Sequence, residues 1–161
     1  MNPVPDLDSI AAAAVRDVLG IGFRLHLVAE SLDEIRESPS DAIWLTSSVN
    51  LVGTQTGGIV YLEVSEPLLD SLNQAIGGHS PDPSVRESEM ADLAGELGNM
   101  IAGRIASGLA ASGLCFTLST PVVLRGRRGW RPEAEVGAGY RVSQSGWTGG
   151  GGQLILMSRI S

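Results

Sequence analysis

The chain has 161 residues, 43% of them apolar, 18% charged and 4% aromatic, which suits a single domain spanning 1–161 with a core of Leu, Val, Ile and Ala. A formal charge of −7 argues against a nucleic-acid partner, because phosphate backbones select basic faces. All 11 basic residues are Arg and none is Lys, which excludes Schiff-base and lysine-nucleophile chemistry.

In chain order, residues 10–15 are apolar but too short to cross a bilayer, and Asp6 and Asp8 precede them where a signal peptide would be basic. A cytoplasmic protein without a membrane segment is expected. Residues 7–20 read as a helix, capped by Asp8 or Ser9 and ended by Gly20. Residues 28–40 are polar and acidic and read as a loop or a short helical turn. Residues 42–53, rich in Ile, Trp, Leu and Val, read as a strand. A turn over Thr54–Gly58 leads to residues 59–64, which alternate apolar and polar, so the two strands form a hairpin. Ser65 is placed to cap a second helix, with Pro67 near its first turn and Gly77-Gly78 closing it. After a loop from His79 to Pro83, the longest helix runs from about Val85 to Ser112. Ser84 and Glu87 form an S-x-x-E capping box, and Gly113 is its stop.

Strand-like stretches follow near 114–124, 134–144 and 153–160, and Gly149–Gly152 reads as a hairpin tip. Cys115, the sole cysteine, lies in an apolar run and is expected to be a buried, inert thiol. With no intrachain disulfide possible, a reducing compartment fits. His26 and His79 have no companions at ligand spacing, so no metal site is expected. Arg125, Arg127, Arg128 and Arg131 cluster on one connection, which reads as a solvated loop sooner than as an anion site. The element order α-β-β-α-α-β-β-β implies an α+β fold with largely antiparallel pairing, since a parallel α/β sheet needs strands and helices to alternate.

The long helix is the most informative segment. At 100° per residue, Met90, Leu93, Ala94, Leu97, Met100, Ile101 and Ile105 fall in an arc about 140° wide, the expected core face. Asp92, Glu96, Asn99 and Gly103 fall in an arc of about 60°, nearly opposite. Gly95, Gly98 and Gly103 flank this polar row, although an interior glycine costs a helix about 1 kcal/mol relative to Ala. Something is therefore expected to come close to that backbone. By itself, a carboxylate and an amide three residues apart is more often the solvated side of an amphipathic helix than a site.

The string Asp92-x-x-x-Glu96-x-x-Asn99, with Pro121 on a following strand, resembles the signature of the CheC/CheX/FliY phosphatase family. Val15–Ile21, Thr56–Ile59, Ser65–Gly78, Glu96–Met100 with Ala102-Gly103, and Thr120–Val123 resemble further stretches of CheX proteins. The resemblance covers most of residues 10–125 and is weaker over 26–42 and the last 35 or so.

The resemblance implies a CheC-like fold that docks the exposed helix face on a phosphorylated CheY-like response regulator. The phosphate is an acyl phosphate on aspartate, and the regulator holds the Mg²⁺, so no cofactor is expected on this chain. Asn99 would orient the attacking water, and Glu96 would anchor the regulator's active-site lysine. Asp92 would help recognition or merely extend the acidic patch. Gly95 and Gly103 would let the partner's backbone approach. Pro121 would shape the strand beside the site, or be an ordinary edge-strand proline. The spacing Asp70-x-x-Asn73 lacks the glutamate and the glycines and is expected to be structural. One E-x-x-N pair resembles CheX sooner than two-site CheC and implies a homodimer. The competing expectation is a non-catalytic receiver-binding or dimerisation module of the same fold, as in flagellar switch proteins.

Overall fold

A computed structural model describes residues 6–37, 42–78, 80–127 and 139–161. The chain opens with α1 (Leu7–Val15), continued by a π-helical segment (Arg16–Gly22). Asp6, rather than Asp8 or Ser9, caps α1: its carboxylate accepts from the Asp8 N–H at 3.1 Å and from the Ser9 hydroxyl at 2.5 Å. Residues 28–40, expected to be a loop or helical turn, contain a short strand, β1 (Val28–Glu30), and a two-turn helix, α2 (Leu32–Glu37). Three strand residues carry too little periodicity to announce themselves, and β1 forms because it can pair with the edge of β6.

The hairpin is present as β2 (Ile43–Val52) and β3 (Gly57–Ser65), paired antiparallel from Trp44–Ser65 to Val52–Gly57. Next comes α3 (Glu66–Ala75), closed at Gly77, where φ is +82°, and by Gly78 N–H donating to Asn73 C=O at 2.9 Å. Ser65 occupies the cap position of α3, but its hydroxyl accepts from the Gln153 N–H of the neighbouring strand instead of capping the helix.

The long helix, α4 (Pro83–Ala110), starts two residues earlier than expected. Asp82 is its cap, accepting from the Ser84 N–H at 2.9 Å and from the Ser84 hydroxyl at 2.8 Å. The expected capping box centred on Ser84 yields to this arrangement because Pro83 has no N–H to satisfy and its fixed φ already suits the first helical position. Gly113, at φ +85°, ends the helix as expected, and the Leu114 N–H returns to the Leu109 carbonyl at 3.3 Å.

The expected strand at 114–124 is two, β4 (Thr117–Leu118) and β5 (Val122–Arg127). Much of the expected strand at 134–144 lies outside the described residues; β6 spans Arg141–Gly149 and β7 spans Gly152–Ile160. Gly150 and Gly151, with φ of +57° and +79°, form the two-residue turn between them. The glycine tract is therefore a hairpin tip, seated against His26, Leu27 and Leu68. Arg125 and Arg127 stand on β5, and Arg125 pairs with Glu66 (3.3 Å) and Glu87 (3.8 Å); Arg128 and Arg131 lie outside the described residues.

The strands form one antiparallel sheet in the order β1-β6-β7-β3-β2-β4, with β5 sharing the outer edge of β2 with β4. Strand parity sorts its two faces. Leu154 and Leu156 join the main core with Leu45, Val49, Leu62 and Val64, under α1, α3 and α4. Ile155 points the other way, into a small cluster with Trp44 and Ile35 of α2. Helices thus cover one face in depth, and α2 covers part of the other. The fold is α+β, as expected, with β1, α2 and the β4–β5 division added to the anticipated order.

The Asp82 cap makes a pH-dependent contribution. Hydrogen bonds from the Ser84 side chain and backbone hold its carboxyl below the usual carboxylate value. A depressed folded-state pKa contributes stability above the unfolded value, near pH 4, that is lost as pH falls through the folded one. Asp82→Ala should lower the melting temperature at pH 7, and the gap from wild type should narrow below about pH 4 in thermal scans.

Candidate functional site

The site is built on the middle of α4. Leu93, Ala94, Leu97, Ile101 and Ile105 are buried, as the periodicity implied. Met100, assigned to the core by its hydropathy, is instead 37% exposed. It stood at the margin of the apolar arc, and the buried face is rotated away from it. Gly95, Gly98, Ala102 and Leu109 extend the buried face on the opposite flank.

The rotation follows from how the helix meets the sheet. A Cβ on Gly98 would strike the Ser47 hydroxyl and lie 2.8 Å from Ser47 Cβ on β2. A Cβ on Gly95 would lie 3.3 Å from Val123 on β5 and 3.8 Å from Pro121. The close approach that these glycines imply is thus made by the chain's own sheet. For Gly95 this corrects the expectation that its bare backbone receives a partner, because the residue is buried against β5. A fourth interior glycine, Gly108, packs against Ile10 of α1.

What remains outside is the polar row. Asp92 and Glu96 are exposed, and Asn99 and Gly103 are partly exposed. Helix periodicity places all four on one side, with Glu96 and Asn99 neighbours at i and i+3. Among the described residues neither the Glu96 carboxylate nor the Asn99 amide has a hydrogen-bond or ion-pair partner, so both are available to something else. Met100, one turn from Glu96, adds an apolar element to this face that the sequence pattern had hidden.

The rim beside the row comes from an irregularity in the sheet. Ile43–Ser48 of β2 pair with Arg127–Val122, whereas Leu51–Val52 pair with Leu118–Thr117. Val49 and Asn50 therefore face three residues, Ser119, Thr120 and Pro121, and the strand bulges by one. Asn50 N–H donates to the Ser119 hydroxyl at 2.9 Å, and Ser119 N–H donates to Asn50 C=O at 3.0 Å. Pro121, lacking an N–H, sits where the ladder is interrupted and abuts the helix at Gly95. The structure thus brings Pro121 to the flank of the Glu96–Asn99 row.

Two other expectations meet different outcomes. Asn73 is buried, and its amide donates to Glu89 at 3.0 Å, a link between α3 and α4, so Asp70-x-x-Asn73 is structural. Cys115, expected to be buried, is exposed, because it follows the helix stop and precedes β4 outside the sheet. Among the described residues no group of three or more His, Cys, Asp or Glu side chains is placed to hold a metal ion; His79 lies outside them.

The structure is thus an α+β fold whose long helix presents, beside a bulged edge strand, an acid–amide pair with no partner among the described residues. Residues 45–135, more than half of the chain, match the family model for chemotaxis phosphatase CheX, and the chain belongs to that family. No curated protein matches the chain in sequence. Among solved structures, the chemotaxis protein CheX from Vibrio vulnificus is 23% identical, with 100% of both chains covered and a TM-score of 0.78. A CheC-like superfamily protein from Shewanella sp. PV-4 is 20% identical, covering 100% of this chain and 99% of its own, with a TM-score of 0.72. The CheX–CheY–BeF3–Mg²⁺ complex from Borrelia burgdorferi matches at 17% identity, with 96% of this chain and 94% of that one covered, and a TM-score of 0.61. These likenesses establish the fold.

The glycine packing can be checked directly. Gly98→Ala should destabilise the protein by about 1–3 kcal/mol in urea unfolding, the usual cost of overpacking. Adding Ser47→Ala should recover part of the loss by removing the hydroxyl that the new methyl strikes.

Proposed function

We propose that this chain is a phosphatase for a phospho-aspartyl, CheY-like response regulator, with Asn99 orienting the attacking water and Glu96 anchoring the regulator's active-site lysine. One observation carries the reading: in a chain of the CheX family, Glu96 and Asn99 stand side by side on the outer face of one long helix, with no hydrogen-bond or ion-pair partner among the described residues. The Borrelia burgdorferi relative in complex with CheY, BeF3 and Mg²⁺ supports a receiver-domain partner.

The chemistry suits such a sparse site. Water oxygen attacks phosphorus, the bond between phosphorus and the aspartyl oxygen breaks, and the aspartate leaves as carboxylate; the water's proton ends on the released phosphate. Nothing in this sequence requires a covalent enzyme intermediate. Phosphoryl transfer gains mainly from positioning and electrostatics. A side-chain amide has an acceptor oxygen and two donor hydrogens, so Asn99 can hold a water by one end and align it with the phosphorus. The regulator brings Mg²⁺ to neutralise charge on the phosphoryl oxygens. Glu96 is a charged partner for a lysine, and such a pair gains strength when docking excludes water. Asp92, one turn away, extends the acidic face, and Pro121 holds the bulged edge against the helix. Action in the cytoplasm and as a homodimer belongs to the same proposal. Among the described residues no helix is long and apolar enough to cross a membrane.

The test is phosphate release from a phosphorylated receiver domain with Mg²⁺, alongside binding to the same receiver loaded with BeF3. Asn99→Ala should bind normally but lower kcat by on the order of a hundredfold. Glu96→Ala should weaken binding by on the order of tenfold or more and reduce turnover as well. Equal hydrolysis by wild type and Asn99→Ala would defeat the catalytic assignment. Binding without hydrolysis by wild type would make the chain a receiver-binding module.

A further inference from the structure

The four interior glycines of α4 do not have the same employment. Gly95, Gly98 and Gly108 each face a neighbour that a side chain would crowd: Val123, Ser47 and Ile10. Gly103 does not. A Cβ there would meet only Leu118 Cδ1, at 3.7 Å, an ordinary van der Waals contact. The residue is partly exposed, and no positive φ requires glycine at this position. The fold therefore leaves room for a Cβ at 103, and glycine there still weakens the helix.

Position 103 lies one turn C-terminal to Asn99 on the same face. Helical side chains lean toward the N-terminus and cover the turn before their own Cα. A side chain at 103 would therefore lie over Asn99. Asn99 itself leans toward Gly95, so neither residue four positions from Asn99 on the helix carries a side chain, and the side chain beside it in the polar row is Glu96, three residues before it. We infer that Gly103 is a positioning residue: by having no side chain, it keeps the Asn99 amide open to water and to an incoming phosphoryl group. This rests on the proposed phosphatase reading for its consequence in turnover, but the clearance itself is a property of the free protein.

Two measurements separate those levels. In a Cys115→Ser background, Asn99→Cys is labelled with a small thiol reagent, with and without Gly103→Leu. Labelling should slow by about fivefold or more when leucine covers the turn. Phosphate release from a Mg²⁺-containing phosphorylated receiver is then followed for wild type, Gly103→Ala and Gly103→Leu. Gly103→Ala should melt no lower than wild type, and Gly103→Leu should remain folded at the assay temperature. Gly103→Leu should lose about tenfold or more in kcat, and Gly103→Ala less. Unchanged labelling in the presence of Gly103→Leu would overturn the inference whatever the activity. A lowered melting point for Gly103→Ala would also overturn it, by giving the glycine a packing role. Absence of turnover by wild type would defeat the phosphatase reading and leave the labelling result to decide clearance.

Discussion

The rotation of α4 about its own axis determines what this molecule can offer a partner, and contact between two glycines and the sheet sets that rotation. With no Cβ at 95 and 98, the helix backbone settles against Ser47 on β2 and Val123 on β5. Successive residues are about 100° apart, so a turn of the helix by even one residue would carry Glu96 or Asn99 toward the sheet. The buried row of Leu97, Ile101 and Ile105 supplies the adhesion. The glycines decide which side of the helix receives it. Packed interiors tolerate little freedom of this kind, because a displaced helix would leave voids or overlaps along its whole length.

The bulge at Ser119–Pro121 belongs to the same arrangement. Both β4 and β5 must pair with β2, and β5 must also pass under α4 where Gly95 lies. One extra residue opposite Val49 and Asn50 bends the strand and shifts its register, so that Val123 reaches the helix. Proline is suited to the break because it has no donor to leave unsatisfied. Ser119 closes the gap by exchanging two hydrogen bonds with Asn50. The rim of the site is thus a consequence of one strand serving two registers.

Much of this was legible in the sequence where periodicity is long. The 28-residue α4, the β2–β3 hairpin and α3 with its paired glycines all follow from periodic runs or from turn and stop signals close by in the chain. The exposed row Asp92, Glu96, Asn99 and Gly103 followed from the same arithmetic. What escaped was whatever depends on a distant partner. β1 exists because β6 offers an edge, and the hydroxyl of Ser65 is used by Gln153 instead of its own helix. Met100 went astray for a related reason: the apolar arc was centred on side chains alone, whereas the glycines, which carry no hydropathy signal, form part of the buried face. Their spacing foretold a close approach to the backbone but could not say from which side.

The energetics explain why one helix can carry so many glycines. Each interior glycine costs about 1 kcal/mol against alanine, so four cost about 4 kcal/mol. A single fully buried Leu or Ile contributes about 1.5–3 kcal/mol, and α4 buries Leu97, Ile101, Ile105 and Leu109. Helical stability in proteins comes mainly from such packing and only weakly from propensity. At 95, 98 and 108 the loss is offset locally, because glycine is what permits the contact. At 103 the contact is only ordinary, and the loss is carried by the rest of the helix. A cost borne at a position with room for a Cβ, one turn from an amide that has no partner among the described residues, fits the proposed clearance of that amide better than it fits the packing of the protein itself.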